Sequence, residues 1–344
     1  MSDDSDVALQ EAPPDTEMLA KTGHGEALQV SNEPSALDQF RERTRYPAST
    51  RKINENSFDL LNPGARHENR QALPGPDNPD LAWQVLFTAD RFFVTGDEPI
   101  LISLQLWNRG EAVLPESVSL QAEAVGPGDR HAPVMLAARS DGKAKTTVFE
   151  PNKHWPEYLG RVRVGAKFSA RDLKPQSGEL DFFFTGKERV PAHFTGTFRD
   201  FMAGGDLLIE VGLDVHRDGI FRIDGNLFDR AGKPFGWARF EGPLAQGNAV
   251  AALRYYGLLF HDAEAQAPFT LRNLHGYRMR PGDVPDREHI PQLATDYQTG
   301  GNYSLQGFRS QENHSPRRQR MIEMYEDAER RGVKLTRPEN PGDG

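Results

Sequence analysis

The 344-residue chain contains no cysteine. This absence excludes disulfide bonds, thiolate metal ligands and a cysteine nucleophile, and it leaves the redox compartment open. The chain also has no apolar run long enough to cross a bilayer, so the sequence predicts no transmembrane segment. Positive charge is in deficit, with a net charge of −9. We therefore expect no nucleic-acid partner, because such binding requires cations that displace counterions from phosphates.

Familiar catalytic motifs are missing as well. The sequence has no Gly-x-Ser-x-Gly elbow, no phosphate-binding Walker loop, no dinucleotide-binding glycine motif and no HExxH pair, and its ten histidines are scattered. These gaps predict a protein that is not an enzyme. An enzyme with a site built from Asp and His in residues 214–262 is the weaker alternative.

The first part of the chain, residues 1–79, has the composition of an unstructured arm. From Met1 to Phe40 there are nine acidic residues and one basic residue, with few β-branched or aromatic side chains. Such a segment buries too little apolar area to offset the entropy of ordering, so we expect a mostly disordered acidic arm. The first residues, MSDDSDVALQEAPPDTEM, show neither the basic nor the apolar region of a signal peptide.

Residues 80–189 read as a first β-sandwich. In ILISLQLW, Ile100, Ile102, Leu104 and Leu106 share one face, and Trp107 belongs to the other. This period of two is typical of a half-buried strand. About seven short strands separated by Gly, Pro and Asp clusters indicate an immunoglobulin-like sandwich.

Residues 190–281 predict a second β-sandwich. The turns at 216–219 and 229–234 carry the Asp and Gly residues that hairpins need. Residues 282–344 look like an irregular tail with one helix at about 316–331, because Ser315 is a good N-cap and Pro316 suits the first helical position. The predicted fold class is all-β: two tandem immunoglobulin-like sandwiches, a disordered N-terminal arm and a short C-terminal helix.

The stretch from about residue 190 to 303 resembles the choice-of-anchor X domain of bacterial cell-envelope proteins. The resemblance rests on GTFRDFMAGGDLLIEVGLDVHRDGIFRIDGNLFDRAGKPFGWARFEG, LRYYGLLFHDA, PFTLRNLHGYRM and PDREHIP. It implies an exported β domain beside a surface-anchoring device, with no catalytic residues assigned. A cell-envelope or periplasmic location follows as an expectation, and a cytoplasmic location stays open because no signal peptide is visible.

Two weak site hypotheses come from residue types. Asp214, Asp218, Asp224 and Asp229 alternate with turn glycines and could supply the oxygen ligands of a calcium ion, although the acidic residue expected at the twelfth position is replaced by Gly225. Ordinary turn chemistry explains the same aspartates, and we favour it. No other cofactor is indicated.

The aromatic residues allow a second site hypothesis. Trp83, Trp107, Trp155, Trp237 and several tyrosines could form a stacking platform, although most aromatic residues in small sandwiches belong to the core. Trp107 is the best exposed candidate because it lies off the apolar face of its strand.

We therefore expect a non-catalytic cell-envelope structural or binding protein. Its partner would be a protein or an envelope polymer that contacts sheet edges and loops. A carbohydrate-binding or hydrolase-accessory module that uses exposed aromatic residues is the alternative.

Overall fold

The computed structural model describes residues 34–64, 66–73, 83–126, 131–171 and 173–332, which form an all-β protein with a few helices. Its strands are β1 (Thr50–Lys52), β2 (His67–Leu73), β3 (Trp83–Ala89), β4 (Phe93–Thr95), β5 (Ile100–Asn108), β6 (Glu111–Val113), β7 (Ser117–Val125), β8 (Val134–Leu136), β9 (Arg139–Asp141), β10 (Ala144–Phe149), β11 (Leu159–Ala170), β12 (Leu173–Thr185), β13 (Ala192–Ala203), β14 (Asp206–Val215), β15 (Gly219–Phe228), β16 (Pro234–Leu244), β17 (Gly247–Tyr255), β18 (Thr270–Met279), β19 (Arg287–Ile290) and β20 (Tyr297–Gln298). The α-helices are α1 (Ala36–Arg43), α2 (Phe58–Leu61), α3 (Leu258–Ala263) and α4 (Pro316–Arg330).

The first sandwich packs two sheets face to face. One sheet has the order β2-β3-β5-β10-β9 with β6 beside β5, and the other has the order β4-β12-β11-β7-β8. Their shared core contains the predicted apolar face of β5, for example Ile102 and Leu104, against Val162 and Phe182 of the opposite sheet. Because side chains alternate along a strand, the period of two predicted this face correctly.

The second sandwich packs a six-stranded sheet on a three-stranded one. The larger sheet has the order β1-β16-β15-β18-β19 with β20 beside β18, and the smaller has the order β13-β14-β17. Ile223 and Leu253 lie in the core between them. The Tyr255 hydroxyl donates to the Gly225 carbonyl oxygen across the layers at 3.0 Å. A β-carbon on Gly225 would lie 2.7 Å from Leu271, so this close packing requires glycine.

The N-terminal arm differs from the prediction. Residues 34–64 and 66–73 form ordered structure, whereas the acidic residues 1–33 and residues 74–82 lie outside the described part of the chain. Strand β1 pairs with β16 of the second sandwich, and β2 pairs with β3 of the first. The expectation of disorder is wrong for these residues. β1 pairs with a strand far along the chain, which no local pattern reveals, whereas β2 pairs with β3, the next strand in sequence.

The C-terminal region also contains more structure than an irregular tail. Strands β19 and β20 extend the second sandwich beyond residue 281 through pairing with β18. The predicted helix is α4, and the Ser315 hydroxyl accepts from the Arg318 backbone N–H as its cap. Its apolar stripe packs on α1 of the arm, where Leu37, Ile322 and Tyr325 form a small separate cluster.

The two sandwiches meet through two edge strands, β4 of the first and β19 of the second. Phe93 and His289 stack with their ring centroids 4.1 Å apart. The His289 backbone N–H donates to the Thr185 hydroxyl at 3.3 Å. The arm crosses beside this junction as it passes from β1 to β2, so three parts of the chain enclose the space between the sandwiches.

Candidate functional site

The candidate site lies on the outer face of the six-stranded sheet in the second sandwich. Along β15, Phe221, Ile223 and Leu227 point into the core, so Arg222 and Asp224 point outward. A polar outer face is normally exposed, yet Asp224 is only 2% exposed. This face is covered because the arm and the first sandwich lie over it.

Strand register places the polar side chains in neighbouring rows. Asp224 lies opposite Arg239 on β16 and His275 on β18. The Arg222 Nε atom donates to Asp224 Oδ2 at 2.9 Å, and the Arg239 Nε atom donates to Asp224 Oδ1 at 3.3 Å. One buried carboxylate therefore serves two guanidinium groups, and Arg239 has a second carboxylate, Glu241, at 3.9 Å.

The aromatic rings of this face also have guanidinium partners. Arg222 and Arg287 lie 5.9 and 5.0 Å from the ring centroid of Tyr277. Arg51 and Arg239 lie 5.6 and 4.8 Å from that of Trp237. Cation–π contacts at these distances hold the guanidinium groups close to the sheet.

The opposite wall comes from the first sandwich and the arm. Phe93 and Arg91 of the first sandwich face Tyr277, and helix α2 of the arm closes one side. The Leu60 carbonyl oxygen accepts from the Asn226 side-chain amide at 2.6 Å, which fixes the arm against β15. The resulting inter-sandwich cleft has a volume of about 370 Å³.

A second cavity adjoins the inter-sandwich cleft. This apolar pocket, of about 380 Å³, is lined mainly by Leu159, Phe183 and Phe184 of the first sandwich and by the loop before β19. The two cavities share the side chains of Phe93, Arg287 and His289. A polar space and an apolar space therefore meet at the stacked pair.

Two polar atoms at the site have no hydrogen-bond partner among the described residues. They are the buried indole N–H of Trp237 and the Nε2 atom of His289. An unsatisfied buried donor costs free energy, and such groups are often completed by a bound molecule or by water. Burial, together with the charge of Arg287, lowers the pKa of His289 to about 3, so this imidazole is neutral at physiological pH.

The four aspartates proposed for calcium do not come together. Asp214 and Asp218 are exposed, Asp224 is buried in the cleft on the other sheet, and the Asp229 carboxylate accepts from the backbone of its own turn at 2.9 Å. The described residues contain no group of three or more His or acidic side chains placed to hold a metal. The calcium hypothesis therefore lacks the shared position that it needs.

The aromatic residues are mostly core, as favoured from the sequence. Trp83, Trp155 and Trp237 are each less than 5% exposed, whereas Trp107 is half-buried. The indole N–H of Trp107 is itself buried, without an acceptor in the described part of the chain. Trp107 stands on β5 of the first sandwich and does not line the inter-sandwich cleft.

Sequence reasoning identified Asp224 for a different reason and missed most of the cleft. Arg222, His275, Tyr277, Arg287 and His289 are brought together only by the pairing of β15, β18 and β19. The sequence does contain one signal of the cleft: in FRID (221–224), charged residues alternate with core residues. Such a polar face on a central strand is a surface that another segment of the chain can cover.

No family model matches the chain, and no curated protein matches it. Among solved structures, the chain is similar to a DUF4785 family protein from Legionella pneumophila, with 12% identity over 64% of this chain and a TM-score of 0.47; it spans 58% of that protein's length. It is also similar to the chicken interferon gamma receptor alpha chain, with 7% identity over 62% of this chain and 95% of the receptor, and a TM-score of 0.26.

A further similarity is to trypsin-activated alpha-2-macroglobulin from Escherichia coli, with 11% identity over 66% of this chain and 16% of that protein, and a TM-score of 0.23. All three TM-scores are below 0.5, so no functional conclusion follows from these similarities. Within the described residues, no helix is long and apolar enough to span a membrane.

Proposed function

We propose that the protein is a non-catalytic binding protein of the cell envelope and that the inter-sandwich cleft is its binding site. The observation that carries the proposal is a polar sheet face that a second domain covers without filling. About 370 Å³ stays open above it, beside the buried Trp237 N–H, for which the described residues provide no acceptor. Ligand sites are commonly concave and lie at domain interfaces, with a few converging polar groups.

Binding fits the contacts of this site better than acid–base catalysis does. Asp224 is held in two ion pairs, so both of its carboxylate oxygens are already occupied by guanidinium groups. His275 Nδ1 lies 2.8 Å from the Asn273 carbonyl oxygen, and burial lowers the pKa of this imidazole. Its Nε2 atom is 3.8 Å from Asp224, beyond hydrogen-bond distance.

The carbohydrate-stacking alternative receives less support. The rings of Tyr277 and Trp237 each already have two guanidinium groups within 6 Å of the centroid. The envelope location rests on the resemblance of residues 190–303 to choice-of-anchor X domains. The partner of this proposal is therefore a protein or polymer of the envelope that presents a group to the cleft.

Co-sedimentation with isolated bacterial envelopes tests the proposal. We expect the full chain to sediment with envelopes, and the double variant Arg222→Gln, Arg287→Gln to sediment several-fold less. Arg139→Gln is the matched control, because Arg139 is an exposed arginine on β9 that does not line the cleft. Failure of the wild type to sediment, or equal sedimentation of the double variant and the control, would contradict the proposal.

A further inference from the structure

We propose that the ligand of the inter-sandwich cleft is an amphipathic anion, in which a carboxylate or phosphate lies on Arg222 and Arg287 and an adjoining apolar part enters the apolar pocket. This inference rests on the proposed function, since it names the chemical class that the cleft would bind.

The unused guanidinium donors of the cleft favour an anion. Arg222 and Arg239 share the carboxylate of Asp224, and Arg239 also lies 3.9 Å from Glu241. The Nε atom of Arg287 lies 3.5 Å from Asp286, which leaves its terminal nitrogens without an acceptor in the described part of the chain. The Nε atom of Arg222 is occupied by Asp224, but no bond within the described residues involves its two terminal nitrogens. Terminal guanidinium nitrogens pair readily with the two oxygens of a carboxylate or a phosphate.

The acidic residues at the opposite wall already have partners. Asp90 Oδ1 accepts from the Leu101 backbone N–H, and Glu98 Oε2 accepts from that of Thr95, both at 3.0 Å. Each carboxylate also lies 3.5 Å from Arg91. A further lining carboxylate, Asp59, is at the exposed rim on α2. None of these three carboxylates pairs with Arg222, so the terminal nitrogens of Arg222 are left for a ligand.

The unpaired donor also favours ligand oxygen. The Trp237 indole can only donate a hydrogen bond, and its N–H lacks an acceptor in the described part of the chain. A ligand oxygen that accepts from this N–H would satisfy it. An ammonium ligand could not, because it carries donors alone.

The neighbouring apolar pocket is the proposed binding site for the apolar part of the ligand. Leu159, Phe183 and Phe184 offer almost no hydrogen-bonding groups, so an apolar group would replace water there at a gain in free energy. Arg287 lines both cavities. A head group on Arg287 would therefore have its apolar part directly beside the pocket.

Calorimetric titration of the full chain with small probes tests the inference. Octanoate and octyl phosphate carry both parts, octylammonium and 1-octanol lack the anion, and acetate and inorganic phosphate lack the tail. We expect each of the first two to bind roughly tenfold or more tightly than any of the other four, because the charged head group and the buried chain each contribute. The ratio of octyl phosphate to octanoate identifies the preferred head group.

Two variants locate the two ends of the ligand. Arg222→Gln with Arg287→Gln should abolish the preference for octanoate over 1-octanol, whereas Leu159→Ser should weaken octanoate and leave acetate unchanged. Arg139→Gln should behave as wild type, and circular dichroism verifies that each variant is folded. For a variant that does not fold, the wild-type salt dependence serves instead, because octanoate binding should weaken as salt rises.

Equal binding of octanoate, 1-octanol and octylammonium would overturn the inference, as would octanoate binding that is unchanged in the folded arginine variant. If octanoate and octyl phosphate fail to bind while envelopes still sediment with the protein in an arginine-dependent way, the ligand class is wrong and the proposed function stands. If both experiments fail, both proposals fall.

Discussion

Two buried carboxylates on opposite faces of one sheet differ in how many arginine partners they have and in what surrounds them. Asp224 is on the outer face, beside the inter-sandwich cleft, and has two guanidinium partners. Glu288 is on β19, 1% exposed, and points to the other face. Four arginines lie within 3.7 Å of it: Arg189, Arg217, Arg278 and Arg280.

The difference separates a structural cluster from the proposed binding site. The arginines around Glu288 come from the segment that joins the two sandwiches, from the β14–β15 turn, from β18 and from the residue that follows it, so this cluster fixes the connection between domains. Asp224 faces an open volume beside the Trp237 N–H, which has no acceptor among the described residues. We infer that Glu288 contributes mainly to stability and that Asp224 contributes mainly to positioning Arg222 for a ligand.

The largest effect should come from Glu288→Gln. Removing this charge leaves Arg189, Arg217 and Arg278 close together without a carboxylate among the described residues, while Arg280 keeps Asp283 at 2.9 Å. Loss of one partner from a buried cluster costs about 3 kcal/mol or more. Urea unfolding followed by circular dichroism measures the loss. Glu241→Gln, at an exposed carboxylate 3.9 Å from Arg239, is the matched control and should change stability by about 0.5 kcal/mol or less. Similar losses in both variants would contradict the role of the cluster.

Asp224→Asn should cost less, about 1–2 kcal/mol, because the amide keeps its shape and both arginines reach solvent. The same variant should bind octanoate several-fold more tightly, since a negative charge beside the proposed head-group position is removed. Urea unfolding and calorimetric titration measure the two effects. Weaker octanoate binding in a folded Asp224→Asn protein would mean that this carboxylate itself contacts the ligand.

His289, the neighbour of Glu288 on β19, makes the stability of the protein depend on pH. Burial lowers the pKa of His289 to about 3, below the unfolded value of about 6.5. Between these values the unfolded chain binds a proton that the native chain does not. Its contribution to stability is therefore complete above about pH 6.5 and is lost as pH falls toward 3.

His289→Phe, which retains a ring against Phe93, should remove this contribution. Proton uptake on unfolding near pH 5 should then fall by about one proton. The slope of unfolding free energy against pH measures this uptake. An unchanged slope in the variant would show that His289 titrates normally in the folded protein.

The smallest effect concerns a carboxylate held without arginine. Burial raises the pKa of Asp200, but hydrogen bonds from the Tyr297 and Tyr303 hydroxyls and from the Gly300 and Gly301 backbone outweigh it, so this pKa lies below its ordinary value. The stabilisation is present above about pH 4 and is lost as pH falls through the lower native pKa.

Asp200→Asn should flatten the loss of stability as pH falls below about 4, where the native and unfolded forms of Asp200 titrate differently. Thermal unfolding at a series of pH values measures this. The Asp214→Asn variant changes an exposed carboxylate on β14 and serves as control. Equal acid sensitivity of Asp200→Asn and wild type would contradict the lowered native pKa of Asp200.

The sequence allowed most of the sandwich architecture to be predicted, because strand alternation and turn chemistry are local. Ile102 and Leu104 show the period of a half-buried strand, and Asp229 lies in its predicted turn. Helix α4 could be predicted for the same reason, because its N-cap Ser315 accepts a hydrogen bond from the backbone of Arg318, only three residues later.

The arm and the inter-sandwich cleft could not be predicted, because they depend on contacts between distant residues. Thr50 pairs with Ala238, and Phe93 stacks on His289 from the other domain. No local pattern in either segment encodes its partner. The covered polar face of β15 was the one signal that a close reading of the sequence could have used.

A crystal structure of the full chain with octyl phosphate tests the central claim most directly, because it locates both ends of the probe. We predict the phosphate oxygens on the terminal nitrogens of Arg222 and Arg287, and the octyl chain against Phe183 in the apolar pocket. A probe bound elsewhere on the protein, with the inter-sandwich cleft occupied by water, would contradict this prediction.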